Sequence, residues 1–309
     1  MKNSIIIINY NTAHMTARCI QGVLNALMTA NHSFEIIVVD NCSKIDDYQT
    51  LKSLVASMPH TTLVRNSFNS GFGLGNMIGV NLARGEYLTF LNSDTLIEED
   101  CVTPLLDYLA QNPNAGVITP QHTNTDGQKV HSFDYYINFR QNFVGLWLYL
   151  LTSSKHTPNP KKEYNVPIAV DFVYGCFMMF RRSAFAQVGG FDPNIFLYYE
   201  EMDVCWRLKK AGYQSIFYPQ AKFKHVGGGS SSQVNTHFER VVSTLYMLRK
   251  NEGYLRYAAF KFLLVIQSGF KGIFRPKKYL TLFFKLLFLG PPQASSMRVS
   301  QTVDEFWVK

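Results

Sequence analysis

The sequence has few cysteines, no long apolar run and fewer acidic than basic residues. Its five cysteines are spread over 309 residues without close pairs, so neither a disulfide framework nor a thiolate metal site is indicated. A reducing cytosol is therefore the expected environment. The apolar run from Ile5 to Ile8 is too short for the core of a signal peptide, because Asn9 and Asn11 interrupt it at once. We interpret this run as a strand. The chain is long enough for one large α/β domain with an appendage or for two modest domains.

The shortage of acidic residues leaves a formal charge of +8 at pH 7. Such a charge favours anionic partners: nucleic acid, nucleotide phosphates or an anionic membrane surface. After Arg240 the Lys and Arg residues stand among Phe, Leu and Tyr, a pattern typical of helices that lie in a lipid headgroup layer. Packing of these helices on the α/β domain or on a second subunit, as in a homo-oligomer, is the alternative. No nucleic-acid-binding motif accompanies the charge, so nucleic acid is not an expected partner.

The same C-terminal region lacks a membrane span. Its apolar runs are interrupted by Lys261, Lys271 and Lys285 and fall short of the roughly 20 residues that a span requires. We therefore expect peripheral attachment to the inner face of the cytoplasmic membrane. Residues 233–309 form this amphipathic helical region in our prediction.

The first half of the chain alternates short β-branched runs with helical patterns. The predicted strands are Ser4 to Asn9, Phe34 to Val39, Thr61 to Val64 and Glu86 to Leu91, and the predicted helices are His14 to Met28, Asp46 to Ser57 and Gly75 to Ala83. Alternating strands and helices predict βαβ units with a mostly parallel sheet between helices. Ligands of such doubly wound α/β sheets bind beyond the carboxyl ends of the strands.

The second half is less regular. Residues from about Pro120 to Pro167 show weak periodicity and predict loops and a substrate-facing insertion. Order returns with Phe172 to Phe180, a helix from about Glu201 to Ala211, and a strand from Ser215 to Tyr218. Beyond Ser232 the pattern is helical to about Leu289.

Polar residues follow three of the predicted strands, so one edge of the sheet collects them. They are Asn9-Tyr10-Asn11, Asp40-Asn41-Cys42-Ser43 and Asn92-Ser93-Asp94. Asp40 is placed to accept a hydrogen bond from a pyrimidine imide, or it merely caps a loop or helix. Asp94 is placed to bridge a hard divalent cation, Mg²⁺ or Mn²⁺, to phosphate oxygens, or it caps the next helix.

A glycine-rich segment runs from Asn69 through Gly71 and Gly75 to Asn76. At the start of a helix its amides are placed to face an anion or a ribose. It matches neither a P-loop nor a dinucleotide fingerprint. The alternative is a tight loop that needs glycine's backbone freedom.

Two further groups are candidates for chemistry. Glu200 and Glu201 follow an aromatic pair in the first turn of a predicted helix, where one of them is placed to act as a general base, although helix-dipole stabilisation also explains acidic residues there. Asp203 and Arg207 form an ordinary i,i+4 pair. His225 follows a strand pattern and is either a cation ligand together with Asp94 or a hydrogen-bonded structural histidine.

Taken in chain order, these motifs resemble the family 2 glycosyltransferases of the GT-A fold, especially their bacterial rhamnosyltransferase branch. The resemblance covers roughly Ser4 to Ser232 and rests on the Asn9, Asp40, Asn69 to Asn76 and Asn92 to Asp94 motifs, then Gly190-Phe191-Asp192, Tyr199 to Arg207, and His225 with its Gly-Ser run. It implies a Rossmann-like GT-A domain over residues 1–232, with a nucleotide-binding half over about 1–119 and an acceptor-side half over about 120–232.

The resemblance also implies roles for single residues. Asp40 contacts the pyrimidine, Asp94 and His225 share the metal, and Glu201 is the catalytic base, with Glu200 as the alternate. Asn9, Asn11, Asn69, Gly71, Gly75, Asn76, Asn92 and Ser93 belong to the nucleotide-sugar site. The family's usual Asp-X-Asp is Asn92-Ser93-Asp94 here, so one negative charge is missing and the metal depends more on His225.

The implied activity is inverting transfer of a sugar to a saccharide or lipid-linked saccharide acceptor in cell-surface polysaccharide or lipopolysaccharide synthesis. The favoured donor is dTDP-L-rhamnose, with a UDP-sugar as the alternative. Two rival hypotheses stay open: a nucleotide-sugar-binding protein without catalysis, because the first Asp of the metal motif is absent, and an α/β scaffold whose basic tail is an adaptor.

Overall fold

The computed structural model describes residues 1–137, 139, 142–143, 157–227 and 236–288. They form a central sheet of nine strands flanked by helices. The strands of this sheet are β1 (Asn3–Asn9), β2 (Phe34–Asp40), β3 (Thr61–Arg65), β4 (Tyr87–Asn92), β5 (Thr95–Leu96), β6 (Ala115–Thr123), β8 (Ile168–Val170), β10 (Phe177–Arg181) and β11 (Gln214–His225). Their order is β3-β2-β1-β4-β10-β6-β11-β5, with β8 also paired to β11. A separate pair joins β7 (Phe133–Asp134) to β9 (Phe172–Val173).

The sheet changes character along its width. β3, β2, β1 and β4 are parallel neighbours, as the alternation of strands and helices predicts. β10 then runs antiparallel to both β4 and β6, so the sheet is mixed. The inner strands are buried on both faces: Ile5, Ile6 and Ile7 have no exposed surface, which explains why apolar residues follow one another there without alternation.

Helices cover both faces of this sheet. The first four are α1 (Ala13–Leu27), α2 (Ile45–Val55), α3 (Gly71–Leu82) and α4 (Thr103–Gln111). The next two are α5 (Arg182–Gln187) and α6 (Glu200–Lys210). On one face α1 contributes Ile20, Val23 and Leu24 to a core that contains Ile5 and Ile7, while on the other face Ile6 meets Phe180 and Phe185.

The start of α3 corrects the sequence-based prediction. We expected a glycine loop that opens a helix at Gly75, but the helix begins at Gly71. Glycine allows α3 to lie against the sheet: a Cβ at Gly79 would stand 2.5 Å from Ile6 Cγ2, and one at Gly75 would stand 3.0 Å from Ile8 Cδ1. Close helix–sheet packing has therefore selected these glycines.

The second half also differs from its prediction in part. A strand, β6, occupies Ala115–Thr123, where no strand was expected. β11 extends to His225, because an irregularity between Tyr218 and Lys222 is followed by renewed pairing with β6. β6 runs across the boundary expected near residue 119, so the division into two halves stays a prediction. Part of the predicted insertion between Pro120 and Pro167 lies outside the described residues.

Three helices form the C-terminal region as described: α7 (Thr236–Glu252), α8 (Tyr254–Phe274) and α9 (Pro276–Phe288). They share an apolar cluster that includes Leu245, Phe260 and Leu286. This confirms the predicted helical appendage up to residue 288. Among the described helices, none combines the length and the apolar character needed to cross a bilayer.

Candidate active site

The polar residues that follow β1, β2 and β4 meet at one edge of the sheet. The parallel register places Asn9 beside Asp40 and Ile8 beside Asn92, so the three strands end at the same level. Asn11 and Cys42, just beyond β1 and β2, both have positive φ angles, 56° and 64°. Such backbone conformations are uncommon for residues other than glycine and mark tightly constrained turns.

Asn9 is the centre of a buried hydrogen-bond network. Its Nδ2 group donates to Asp40 Oδ2 and Asp47 Oδ2, both at 2.9 Å, and lies 3.0 Å from Ser43 Oγ. Its Oδ1 accepts from the hydroxyl groups of Thr12 and Thr16. Asn9 has no exposed surface, so in this structure it positions its neighbours. Asn9 would therefore contribute to the predicted nucleotide-sugar site indirectly, by holding the Asp40 carboxylate in place.

Asp40 is fully buried beside a cation. Its carboxylate accepts from Asn9 and from the Ser43 amide at 3.2 Å, and it lies 3.6 Å from Arg65 Nη1. Burial raises the pKa of Asp40, while the hydrogen bonds of Ser43 and Asn9 and the charge of Arg65 act in the opposite direction. Contact between Asp40 and a pyrimidine stays a prediction, since protein groups surround this carboxylate here.

Asn11 and Asn41 tie the ends of β1 and β2 to the neighbouring loops. Asn11 accepts from the Lys44 amide and donates its own amide to Ser43 Oγ. Asn41 Oδ1 accepts from the side chains of Asn66 and Ser70, and its Nδ2 donates to Asn69 Oδ1 at 2.9 Å. These bonds hold the loop before α3 against the edge of the sheet.

The glycine-rich segment is engaged with protein. The amides of Ser70 and Gly71 donate to Asn41 and Asn69 side chains, and the Phe72 amide donates to Phe196 O. Gly71 has φ +82°, and a Cβ there would overlap the Phe196 carbonyl. Packing thus accounts for the glycines, and a ligand role for Asn69, Gly71, Gly75 and Asn76 stays a prediction.

Asn76 itself has one unused polar atom. Its Nδ2 donates to Phe72 O at 3.0 Å. Its Oδ1 is buried and has no hydrogen-bond partner among the described residues. A buried amide oxygen without a partner is costly, so a donor on a bound molecule or a water would be favourable there.

Asp94 and His225 lie together. His225 Nε2 is 2.9 Å from Asp94 Oδ1 and 3.3 Å from Asn92 Nδ2. The pairing of β5 with the end of β11 sets Thr95 opposite His225, and the Val226 amide donates to Asp94 O. The sheet therefore brings the predicted metal pair into contact, although 133 positions separate Asn92 from His225.

A chain of hydrogen bonds links Ser93, which precedes Asp94 in the sequence, to the Asp40 end of the edge. Thr12 Oγ1 lies within hydrogen-bond distance of both Ser93 Oγ, at 3.0 Å, and Asn9 Oδ1, at 3.1 Å. Asp40, Asn9, Thr12 and Ser93 thus form one continuous polar row. Fully connected buried networks of this kind hold their members rigidly.

The two glutamates at the start of α6 differ in exposure. Glu200 is 4 % exposed and its Oε2 has no hydrogen-bond partner in the described part of the chain. Burial, and then the charge of Glu201, raise the pKa of Glu200 well above its usual range. Glu201 is half-buried, and burial raises its pKa to about 7. Glu201 is therefore the member of the pair that combines a pKa near neutrality with partial exposure.

The turn at Gly175 and Cys176 connects Asp94 with Glu201. The Cys176 carbonyl accepts from the Asn92 amide and from Thr95 Oγ1, and a Cβ at Gly175 would stand 3.8 Å from Glu201 Cδ. Burial raises the pKa of the Cys176 thiol to about 12, and the charges of both Asp94 and Glu201 contribute in the same direction. The metal pair and the predicted base thus flank one short turn.

Several residues of this region were not predicted from the sequence. Asn66, Ser70 and Arg65 support the Asp40 end, and Lys250 binds Asp192 and Asp203 at 2.7 and 2.8 Å. The i,i+4 pair of Asp203 and Arg207 is confirmed. A polar residue in a loop, or a lysine in an amphipathic helix, carries no local signal for such contacts.

The described residues contain no group of three or more His, Cys, Asp and Glu side chains arranged to hold a metal ion. Asp94 and His225 are a pair, consistent with the missing first carboxylate of the motif. Other ligands would have to come from the diphosphate or from water, as is usual for Mg²⁺ sites at phosphates.

Comparison with solved structures shows the fold. The chain is similar to GalNAc-T7 crystallised with UDP, GalNAc and Mn²⁺, with a TM-score of 0.58 and 14% identity over 81% of this chain and 48% of that one. It is also similar to residues 1–349 of S. aureus TarS in complex with UDP, with a TM-score of 0.53 and 14% identity over 81% of this chain and 65% of that one. The GT-A architecture expected from the sequence is confirmed.

Comparison with curated proteins gives relatives of modest identity. A low-salt glycan biosynthesis hexosyltransferase, Agl10 of Haloferax volcanii, is 26% identical over 67% of this chain and 61% of its own length. The rhamnosyltransferase WbbL of Escherichia coli is 26% identical over 65% of this chain and 75% of its own length. The N-acetylglucosaminyl-diphospho-decaprenol L-rhamnosyltransferase of Mycobacterium tuberculosis is 29% identical over 57% of this chain and 62% of its own length.

The family profile described as Glycosyl transferase family 2 matches residues 4–189. This range contains the Asn9, Asp40 and Asp94 ends of the polar edge, whereas Glu201 and His225 lie beyond it. The match covers more than half of the 309 residues. The chain therefore belongs to glycosyl transferase family 2.

Proposed function

We propose that this protein transfers a sugar from a nucleotide diphosphate donor to a hydroxyl group of a saccharide, with inversion at the anomeric carbon. The observation that carries the proposal is the 2.9 Å approach of Asp94 and His225 at the carboxyl edge of the sheet, close to the turn that borders Glu201. A carboxylate and an imidazole near the same turn as a base suit displacement of a diphosphate.

The Asp94 and His225 pair fits a divalent cation. A carboxylate oxygen and an imidazole nitrogen are both accepted ligands of Mn²⁺, and a carboxylate oxygen suits Mg²⁺. The two atoms that would bind the cation, His225 Nε2 and Asp94 Oδ1, lie 2.9 Å apart, so one ion could contact both. When bound, such a cation supplies positive charge that offsets the charge growing on the leaving diphosphate.

Glu201 has the properties of the base in this proposal. Its carboxylate takes the proton of the acceptor hydroxyl while the hydroxyl oxygen bonds to the anomeric carbon and the bond from that carbon to the diphosphate oxygen breaks. A base works best when its pKa lies near the working pH, and burial raises the pKa of Glu201 to about 7. Glu200 is the weaker candidate, because it is nearly enclosed.

The donor is proposed to be dTDP-L-rhamnose. Relatives named as rhamnosyltransferases, from Escherichia coli and Mycobacterium tuberculosis, support a rhamnosyl donor. A UDP-sugar is the alternative, favoured by the UDP present in both structural neighbours. The acceptor is proposed to be a saccharide, free or lipid-linked, in cell-surface polysaccharide synthesis.

We further propose that α8 and α9 rest on the inner face of the cytoplasmic membrane. On α8 the side chains of Phe262, Ile266, Phe270, Ile273 and Phe274 are exposed at helical spacing, and on α9 Phe284, Leu287 and Phe288 are exposed. Residues 254–288 contain seven Lys and Arg residues and no Asp or Glu. Exposed aromatic stripes flanked by cations alone suit an anionic headgroup layer and would place a lipid-linked acceptor near the site.

A donor screen tests the proposal. The purified chain would be incubated with a panel of nucleotide sugars, with Mn²⁺, with Mg²⁺ or with EDTA, and release of the nucleoside diphosphate would be measured. We expect cation-dependent hydrolysis of dTDP-L-rhamnose to exceed that of the UDP-sugars. Binding of a nucleotide sugar without turnover under any condition, including added saccharide acceptors, would instead support the non-catalytic binding protein.

A further inference from the structure

The segment around Glu201 has an unusual backbone. Tyr198 and Tyr199, directly before α6, have φ angles of 69° and 70°. Two consecutive non-glycine residues in the left-handed region each cost on the order of 1–3 kcal/mol and persist where the surroundings hold them. The first turn of α6, and with it Glu201, therefore depends on whatever packs against this pair.

Helix α7 of the C-terminal region is what packs there. Ser243 Oγ donates to Leu197 O at 2.9 Å, Thr244 is hydrogen-bonded to the Tyr199 side chain, and Lys250 binds Asp203 one turn further along α6. The guanidinium carbon of Arg240 lies 4.7 Å from the centre of the Tyr198 ring. Four positions of α7 thus contact the segment that carries Glu200 and Glu201, from both of its ends.

Arg240 differs from Ser243 and Thr244, because it is exposed and brings a charge. A guanidinium over an aromatic face is held in place by the ring while its N–H groups stay available. Its charge acts on Glu201 and on Tyr199. By contrast, Lys250 is neutralised by Asp192 and Asp203.

We propose that α7 is a working part of the transfer site, and that Arg240 is a positioning residue which holds Tyr198 in its left-handed conformation and keeps the Glu201 carboxylate in its proton-accepting state. The proposal rests on the role proposed for Glu201. It assigns to the C-terminal region a part in the chemistry, in addition to any part in membrane attachment.

The charged and titratable groups that face Glu201 come from several elements. They are Glu200, Tyr199 and Cys205 around α6, Tyr174 and Cys176 between β9 and β10, and Arg240 on α7. Among these described groups Arg240 is the cation. Burial raises the pKa of Glu201 and the charge of Arg240 lowers it, so removal of that charge leaves burial less opposed and raises the pKa further.

The test compares the pH dependence of kcat/KM in the full chain with that of Arg240→Gln and Arg240→Lys. For Arg240→Gln we expect the rising limb of the profile to move up by about 1 pH unit, and activity below that limb to fall about tenfold. Arg240→Lys keeps the charge and should restore most of the profile. Arg249→Gln is the matched control on the same helix, since Arg249 faces Tyr254 and Tyr257, and its profile should equal that of the unmodified chain.

A second readout does not need turnover. In protein labelled with ¹³C at the glutamate carboxyl carbons, the Glu201 signal, assigned with Glu201→Gln, should titrate at higher pH in Arg240→Gln than in the unmodified chain. Tyr198→Leu removes the ring under Arg240 and should shift the Glu201 titration to higher pH by a smaller amount. This variant provides the test if Arg240→Gln does not fold.

The outcomes separate the two proposals. If no nucleotide sugar is turned over but the Glu201 signal shifts as expected, the proposed function fails while the link between Arg240 and Glu201 stands. If turnover is present and the substitutions at Arg240 and Tyr198 move neither the pH profile nor the carboxyl titration, the positioning role is wrong.

Discussion

The edge of the sheet buries polar side chains, whereas the C-terminal helices expose apolar ones. At the edge, Asn9 and Asp40 are fully buried and satisfied by protein partners, whereas Phe270 and Phe274 of α8 are 65% and 72% exposed. Buried polar networks cost stability unless every member is bonded, and exposed aromatic stripes cost stability unless something covers them. The bonded network at the edge therefore supports the fold, whereas the exposed stripe of α8 is a feature that folding alone does not favour and that a binding surface would require.

Helix α7 contacts the segment before Glu201 and shares an apolar cluster with α8 and α9. Substitutions at the edge of the sheet and around Glu201 should lower turnover, whereas substitutions on the exposed face of α8 should weaken attachment to the membrane. If substitutions on α8 lowered turnover, or substitutions around Glu201 weakened membrane attachment, the two regions would not have separate roles.

The largest expected effect is that of Glu201→Gln. It removes the proton acceptor with little change in volume, so sugar transfer should fall by about 10²–10⁴-fold, while affinity for the donor changes little. Initial rates and donor titrations of the purified variant measure both quantities. Glu86→Gln is the control, because Glu86 is an exposed partner of Lys2. Full activity of Glu201→Gln would remove this residue from the mechanism.

Next in size is the effect of Asn9→Leu on stability. The substitution leaves Asp40 and the hydroxyl groups of Thr12 and Thr16 short of a buried partner, and we expect a loss of about 3 kcal/mol in the free energy of unfolding. Urea denaturation followed by circular dichroism measures it. Asn25→Leu on exposed α1 surface should change stability by less than about 0.5 kcal/mol. Equal effects of the two substitutions would contradict the network described at the edge.

The pH dependence of turnover comes third. Because the pKa of Glu201 is raised to about 7 and the base must be ionised, kcat/KM should rise with pH through about 7. Between pH 8 and pH 6 we expect a fall of about tenfold. A profile that is flat over this range in the unmodified chain would show that the essential base is not Glu201 or that its environment differs.

The smallest effect concerns the exposed face of α8. Phe270→Ser combined with Phe274→Ser should weaken binding to vesicles that contain anionic lipid by about tenfold, because apolar area is lost from the buried side of the helix. Co-sedimentation measures it, and sugar transfer to a water-soluble acceptor should stay the same. Val166→Ser together with Leu82→Ser, exposed apolar residues of the catalytic domain, is the control pair. Unchanged vesicle binding of the Phe270 and Phe274 variant would favour packing of this face on protein.

Sequence patterns predicted the parallel half of the sheet to within a residue or two. β1, β2 and β4 are short buried apolar runs, and polar residues end each of them. Asn9, Asp40 and Asn92 were therefore placed correctly at one edge. The strand β6 and the full length of β11 were not predicted. Their residues are a mixture of polar and apolar types, and these strands form by antiparallel pairing with β10 and β5, which are distant in the sequence.

Local patterns also misplaced the start of α3, since glycine normally argues against a helix interior. The approach of Ile6, Ile8 and Phe196 explains this exception. Contact between Asp94 and His225 followed from a family resemblance and is present in the structure, but Arg240 had no local signal. Arg240 comes close to the Glu201 segment because α7 packs against that segment. The sequence predicted only that this helix is amphipathic.

In the proposed function, Asp94 and His225 hold a divalent cation against a nucleotide diphosphate. Mn²⁺ binding, followed by the loss of the free Mn²⁺ electron paramagnetic resonance signal in the presence of dTDP or UDP, tests it most directly. Asp94→Asn and His225→Gln should each weaken Mn²⁺ binding by at least about tenfold, while Asn112→Asp, at the C-terminal end of α4, should leave it unchanged. Mn²⁺ affinity that stays the same in both Asp94→Asn and His225→Gln would contradict the account.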